Sequence, residues 1–523
     1  MIQRIYTLFV AVVLLTACKE EVEKEKAVAV KTTKQYDEMY RPQYHFSPKS
    51  GWMNDPNGLV YHDGLYHLFY QYFPDATVWG PMHWGHAVSK DLMNWEHKPI
   101  ALFPDEKGFI FSGSAVVDVN NTSGFGKDGK VPIVAVFTYF RLDIEKAGGI
   151  NTQTQGIAYS LDNGDTWIKY EGNPVLDNTT MKDFRDPKVF WHEGTESWIM
   201  VLVAGDHAKL YRSKNLKDWN HISDFGKEQG AHGGVWECPD LFKLKVEGSD
   251  EEKWVLIISI GSGGPNGGSG TQYFIGDFDG DNFISDQKMH RWLDWGADNY
   301  AGVTYNNTPN GDRIFVGWMS NWQYALKTPT STWRSTMTLP RKLSLKKRDG
   351  FYDLKNYPIS SLDFSKGLSG QKKIIDSTQP FNLTENALGQ AVISFKAPKK
   401  SFKLSVGNVL GEATTLLFDM NSNLLMLDRT KSGKTNFNYE FGNKLHYMPV
   451  KDLPEEFEVK LFLDRSSIEI FLNKGQYVMT DQIFPTAAYT NLTIENESMN
   501  SIELNDFKLQ GISSIWEGDD QLK

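Results

Sequence analysis

One hairpin recurs along the first half of this chain. "VSKDLMNWEH" (Val88 to His97), "YSLDNGDTWIKY" (Tyr159 to Tyr170) and "YRSKNLKDWNHI" (Tyr211 to Ile222) share a Ser, an Asx-rich turn and a Trp, and "IGDFDGDNF" (Ile275 to Phe283) is a looser relative. Recurrence at intervals of roughly 50–70 residues points to a β-propeller, where each blade is one small antiparallel sheet that buries its faces only against its neighbours. Five apolar runs punctuate the same region: "LYHLFYQYF" (Leu65 to Phe73), "PIVAVFTYF" (Pro132 to Phe140), "SWIMVLVAG" (Ser197 to Gly205), "WVLIISIG" (Trp254 to Gly261) and "RIFVGWMS" (Arg313 to Ser320). Each is rich in β-branched and aromatic residues, as buried strands are. One such strand per sheet gives about five blades. A repeat this loose also fits a β-sandwich.

The pattern changes near "WRSTMTLPRKLSLKKRDG" (Trp333 to Gly350). Beyond it aromatics thin out and strict alternation takes over, as in "AVISFKA" and "FEVKLFLDRSSIEIFLNKG", which fits a two-sheet sandwich with polar outer faces. A length of 523 residues exceeds one ordinary domain, and 13% aromatic residues supply ample core material for two. The reading is therefore all-β, with a propeller over residues 39–350 and a sandwich over 351–523. A net charge of −10 offers no basic face to nucleic acid.

Three acidic residues lie in poor company for solvated surface. Asp55 sits in "GWMNDPNG", Asp186 in "DFRDPKVF" and Glu237 in "GGVWECPDLF", each in a short loop at or near a Pro and beside apolar strands. Loops held on a rigid scaffold are where catalytic groups concentrate. Asp before Pro is also an ordinary turn residue, and Arg185-Asp186 also reads as a structural ion pair. Glu237 between Trp236 and Cys238 is harder to explain structurally, because a carboxyl in apolar surroundings has a raised pKa and suits a general acid. Cys238 reads as a small buried neighbour of that acid.

Together "WMNDPNG", "FSGS" (Phe111 to Ser114), "FRDP", "WECPDLF" and "TLPR" (Thr338 to Arg341) resemble, in this order, the motifs of glycoside hydrolase family 32, the family of invertases, inulinases and levanases. The resemblance runs from about Arg41 to Ile512. It implies a five-bladed propeller followed by a β-sandwich, with Asp55 as nucleophile, Glu237 as general acid and base, and Asp186 as transition-state stabiliser. It further implies sugar contacts from Asn54, Gln71 and Arg185, an aromatic rim at Trp79, Ser114 near the nucleophile, and Trp318, Asp298 and Tyr300 as additional candidates. For these supporting residues the alternative is a packed structural role. Trp52 is expected to wall the pocket.

The activity implied is that of a retaining, exo-acting β-fructosidase working on levan, inulin or sucrose, with no cofactor and no metal. The alternatives are an endo-acting levanase and a surface fructan-binding lipoprotein without turnover. An arabinanase-type glycosidase fits less well with the motif set. "GDFDGDNF" (Gly276 to Phe283) mimics an acidic calcium loop but lacks the distal bidentate Glu, so it reads as a hairpin turn. No HExxH or paired-cysteine spacing indicates zinc. The sandwich either binds polymer or braces the propeller, and bracing is the preferred reading.

The N-terminus carries a separate signal. "MIQRIYTLFVAVVLLTAC" has a basic residue, an apolar run too short to span a bilayer, and small residues before Cys18. It resembles a bacterial lipoprotein signal over residues 1–18, which implies lipidation of Cys18, membrane attachment and a periplasmic or cell-surface location. Residues 19–38 begin with "KEEVEKEKAVAVKTTK" and read as a charged, flexible tether.

Overall fold

The computed structural model describes residues 36–516 except 179 and 361–366; Cys18 and most of the expected tether lie outside them. The tether reading extends to residue 38, but Tyr36 is already buried, its ring stacked 4.2 Å from that of Trp516. The packed chain thus includes the last residues assigned to the tether.

Five antiparallel sheets form the first domain. Their innermost strands are Gly51–His62, Phe109–Val117, Arg185–His192, Trp236–Lys245 and Tyr300–Thr304. Each packs on the next, and Tyr300–Thr304 packs back on Gly51–His62, which closes a ring of five blades. The short strand Trp333–Arg334 adds in parallel to Gly51 and Trp52, tying the last blade to the first. The five apolar runs of the sequence are the second strands of the five blades, and Ile133–Phe140 and Ser197–Ala204 are buried throughout. The Trp hairpins occupy the turn between third and fourth strands in the first three blades, with "IGDFDGDNF" in the fourth. That turn repeats because each blade must cover the outer edge of its sheet in the same way.

In the fifth blade the outer hairpin is Arg341–Arg348 with Phe351–Pro358. The propeller sheet therefore continues to Pro358, and a boundary at residue 350 would cut this hairpin at its turn.

The second domain stacks two six-stranded sheets. Alternating residues such as Ile393, Phe395, Leu404, Phe418, Leu461 and Ile470 meet in one core between them. Buried ionic bridges join the domains. Arg341 of the propeller reaches Glu469 of the sandwich at 2.7 Å, and Arg429 of the sandwich reaches Asp298 of the propeller at 2.6 Å.

Candidate active site

Every innermost strand carries a register break near its start. The breaks fall between Met53 and Pro56, Ile110 and Gly113, Arg185 and Lys188, Glu237 and Asp240, and Tyr300 and Val303. At each break one residue precedes a Pro or Gly: Asp55-Pro56, Ser112-Gly113, Asp186-Pro187, Cys238-Pro239 and Ala301-Gly302. Asp186, Cys238 and Ala301 have positive φ angles of 62°, 46° and 54°. Bulges re-aim side chains, and left-handed backbone at non-glycine residues concentrates at functional sites. Where the repeat has glycine, there is no room for a side chain. A Cβ on Gly113 would collide with the Val136 carbonyl, and one on Gly302 with the ring of Phe315.

This fivefold bulge gathers the predicted acids around the propeller axis. Asp55 Oδ1 accepts from Asn54 Nδ2 at 2.9 Å, and Asp55 Oδ2 accepts from Ser112 Oγ at 2.7 Å. Cys238 Sγ lies 3.5 Å from the same Oδ2 and 3.7 Å from Asp186 Oδ2. Asp186 Oδ2 also accepts from the Cys238 amide at 3.0 Å. Glu237, one residue earlier on that strand, is gripped on both oxygens. Arg185 Nη2 donates to Oε1 at 3.1 Å, and the Tyr300 hydroxyl donates to Oε2. Arg185 is itself held by Asp183 at 2.6 Å.

Electrostatics separate the roles. Burial raises the Glu237 pKa to about 7, Arg185 opposes that rise, and the charges of Asp186 and Asp55 add to it. Glu237 thus holds a proton close to neutrality, as a general acid must. Burial and the nearby Asp55 lift Asp186 to about 6 against the pull of Arg185. Asp55 accepts hydrogen bonds from three side chains, Asn54, Ser112 and Cys238. Burial and the three surrounding carboxylates push the Cys238 thiol far up, so it stays protonated and acts as a donor.

The supporting residues divide. Asn54 is buried at the site, and its oxygen accepts from Trp52 Nε1 at 2.8 Å. Trp52 is fully buried, so it orients Asn54 and does not wall the pocket. Half-buried Trp322 stacks on it at 5.9 Å. Gln71 donates to Asn57 Oδ1 at 2.7 Å, beneath the turn. Trp79 packs edge-on against Phe109, Phe111 and Phe140. Ser114 bonds the Pro187 carbonyl and the Val189 amide, stitching the second blade to the third; the hydroxyl on Asp55 is that of Ser112. The bulge at Phe111-Ser112 is what exchanges the two serines. Trp318 is fully buried between Tyr300, Trp52 and Trp322. Asp298 is committed to the domain interface through Arg429, Tyr324 and the Gln482 amide.

Comparison with known proteins decides the family. The model described as "Glycosyl hydrolases family 32 N-terminal domain" matches residues 45–358, and the family 32 C-terminal model matches 364–510. The chain belongs to glycoside hydrolase family 32. Within family 32 it is 46% identical to a levanase of Bacillus subtilis (strain 168) over 92% of this chain and 72% of that protein. It is 40% identical to an extracellular exo-inulinase of Aspergillus niger over 92% and 96%. Among solved structures, the exo-inulinase of Aspergillus awamori superposes with a TM-score of 0.83 at 38% identity, covering 92% of this chain and all of that one. The fructofuranosidase of Schwanniomyces occidentalis complexed with fructose also gives 0.83, at 32% identity and the same coverage. The protein is thus a glycoside hydrolase with the five-bladed propeller and sandwich of family 32.

Proposed function

We propose that the protein is a retaining, exo-acting β-fructosidase that releases terminal fructose from fructans and from sucrose. The observation that carries this reading is the pairing at one site of Asp55, held by three donors, with Glu237, whose proton is held near neutrality and which feels the Asp55 charge. An Asp55 oxygen attacks the anomeric carbon of the terminal fructosyl unit. The bond to the leaving sugar breaks as the Glu237 proton passes to its oxygen. Water, deprotonated by Glu237, then attacks the same carbon, and the ester bond to Asp55 breaks, freeing fructose and restoring both groups. Asp186, one of the bulged ring residues, takes the fructose hydroxyls and shares charge with the oxocarbenium-like transition state. The names of the relatives, a levanase, an exo-inulinase and a fructofuranosidase, support the substrate class.

The experiment is a product time course on levan, inulin and sucrose. Free fructose as the sole early product from levan and inulin, and fructose with equimolar glucose from sucrose, are expected, the fructose in the β configuration by rapid NMR. Early oligosaccharides would mean endo action, and no product at all would refute the enzymatic reading. We further propose that lipidation of Cys18 anchors the enzyme at the outside of a membrane, as its lipobox-like sequence implies. Cys18→Ala is then expected to move activity from the membrane fraction to the soluble one.

A further inference from the structure

The general acid defines which side of the cleft the leaving sugar occupies, since the proton must reach the leaving oxygen. Beside Glu237 lies the loop that begins at Gly261. A Cβ on Gly261 would stand 3.6 Å from Glu237 Oε2. From there "GSGGPNGGSG" (Gly261 to Gly270) runs outward toward the sandwich. Asn266, at most about 18 Å of extended chain from Gly261, bonds the sandwich directly. Its Nδ2 donates to the Tyr447 carbonyl at 3.1 Å and its Oδ1 accepts the Tyr447 amide at 2.8 Å. Asn438 of the sandwich donates to the Gln323 carbonyl at 3.0 Å, beside half-buried Trp322. Lys444 is held by Glu440 at 2.7 Å, next to Gly267.

The sandwich segment 437–447 is thus hydrogen-bonded to the loop that starts beside Glu237 and to the segment that carries Trp322. It carries aromatic surface with no protein cover: Tyr439 is 75% exposed and Tyr447, on an edge strand, 42%. An exposed tyrosine beside a cleft offers a flat apolar face with a polar tip, which matches the alternation of C–H faces and hydroxyls along a sugar chain.

We propose that Tyr439 and Tyr447 of the sandwich form a distal site that holds the remainder of a polymeric fructan while its terminal unit is cleaved. This rests on the β-fructosidase reading. The continuity of the segment with the Glu237 side of the cleft, through Asn266 and the Gly261–Gly270 loop, is what assigns it to the substrate's own chain. Sucrose, with one leaving sugar, is too short to reach it.

The test compares Tyr439→Ala and Tyr447→Ala with the wild type on sucrose and on levan or inulin, whichever polymer the wild type hydrolyses. Each variant is expected to raise KM for the polymer about fivefold, as one lost aromatic face would, with kcat and both sucrose constants unchanged. In a native gel containing the polymer, Glu237→Gln is expected to be retarded, and Glu237→Gln with Tyr439→Ala less so. Equal losses on sucrose and polymer, or no change on either, would overturn the proposal. So would a dimer that these variants dissociate while polymer kinetics stay unchanged, since the face would then join copies of the chain. A wild type inactive on sucrose and polymer alike would instead remove the fructosidase reading on which the site depends.

Discussion

Ser112 donates its hydroxyl to Asp55 Oδ2 at 2.7 Å, although the two residues are 57 apart in the chain and lie on neighbouring blades. A hydrogen bond to a charged group contributes about 1.5–3 kcal/mol. Without it Asp55, the proposed nucleophile, loses a donor that fixes its oxygen. Ser112→Ala is therefore expected to lower kcat/KM about 10- to 100-fold while leaving the melting temperature nearly unchanged. Ser114→Ala should do the reverse. It frees the Pro187 carbonyl and the Val189 amide, both at a blade junction, so it should lower the melting temperature with a smaller effect on turnover. Steady-state kinetics and thermal unfolding of the two variants distinguish the serines.

On the proposed mechanism, the Glu237 pKa near 7 sets the alkaline limb of activity. The reaction starts with this carboxyl protonated, so kcat/KM should fall as pH rises through about 7. Arg185 pulls the pKa down through its charge and its hydrogen bond. Removing that cation stabilises the protonated acid, so in Arg185→Gln the alkaline limb should move to higher pH even as overall activity drops. A limb that stayed in place, or moved down, would mean that Glu237 is not the group seen in the profile. A pH series of kcat/KM on sucrose is sufficient.

That the three acids lie together was legible from the sequence mainly through the ordered motifs that carry them; taken alone, Asp55 and Asp186 read equally as turn and ion-pair residues, and only Glu237, between Trp236 and Cys238, resists a structural reading. The propeller was legible through its second strands and outer hairpins, which repeat for packing reasons. The fivefold bulge was not, because its residues share no chemistry; Asp, Ser, Cys and Ala share only the Pro or Gly that follows them. Ser112 was missed for that reason, since regular strand alternation gives no way to choose between it and Ser114. Asp298, Trp318 and Trp52 are buried in the structure, Asp298 at the domain interface. A buried polar or aromatic residue beside a site motif serves equally well to touch a sugar or to brace a domain, and packing is what separates the two.

The domain brace has its own consequence. Arg429 is fully buried between Asp298 at 2.6 Å and Asp481 at 3.4 Å, with its guanidinium over the Phe441 ring at 3.9 Å. Breaking a buried pair by removing one partner costs about 3–5 kcal/mol, because the other charge is left uncompensated. Arg429→Met keeps most of the volume and removes the cation shared by both carboxylates, leaving Asp298 with only the Tyr324 hydroxyl and the Gln482 amide and Asp481 with His446 and the Ala297 amide, so a fall of several degrees in melting temperature is expected. The sucrose constants of the folded fraction should not change, since Asp298 touches no group of the cleft. Altered KM with unaltered stability would return Asp298 to the substrate site.

Buried histidines bound the pH range of stability from both sides. Burial alone would strip the proton from His45, but hydrogen bonds to Asp464 at 2.8 Å and Glu469 at 3.0 Å outweigh it and lift its pKa from 6.5 to about 9. The folded protein then binds a proton that the unfolded chain does not. The resulting stabilisation is complete below pH 6.5 and is lost as pH rises through about 9. His67 and His97 behave oppositely. Burial lowers them to about 4 and about 3, so they fold neutral and the unfolded chain takes up protons first as pH falls. Their contribution is present above pH 6.5 and drains away below it. The histidines thus give the melting temperature an alkaline arm set by His45 and an acid arm set by His67 and His97, the latter partly offset by Asp186 and Glu237, whose raised pKa values make the folded state hold protons that the unfolded chain releases. In His45→Gln the alkaline arm should flatten while the acid arm keeps its slope. An alkaline arm as steep as in the wild type would show that the His45 bridge does not govern it.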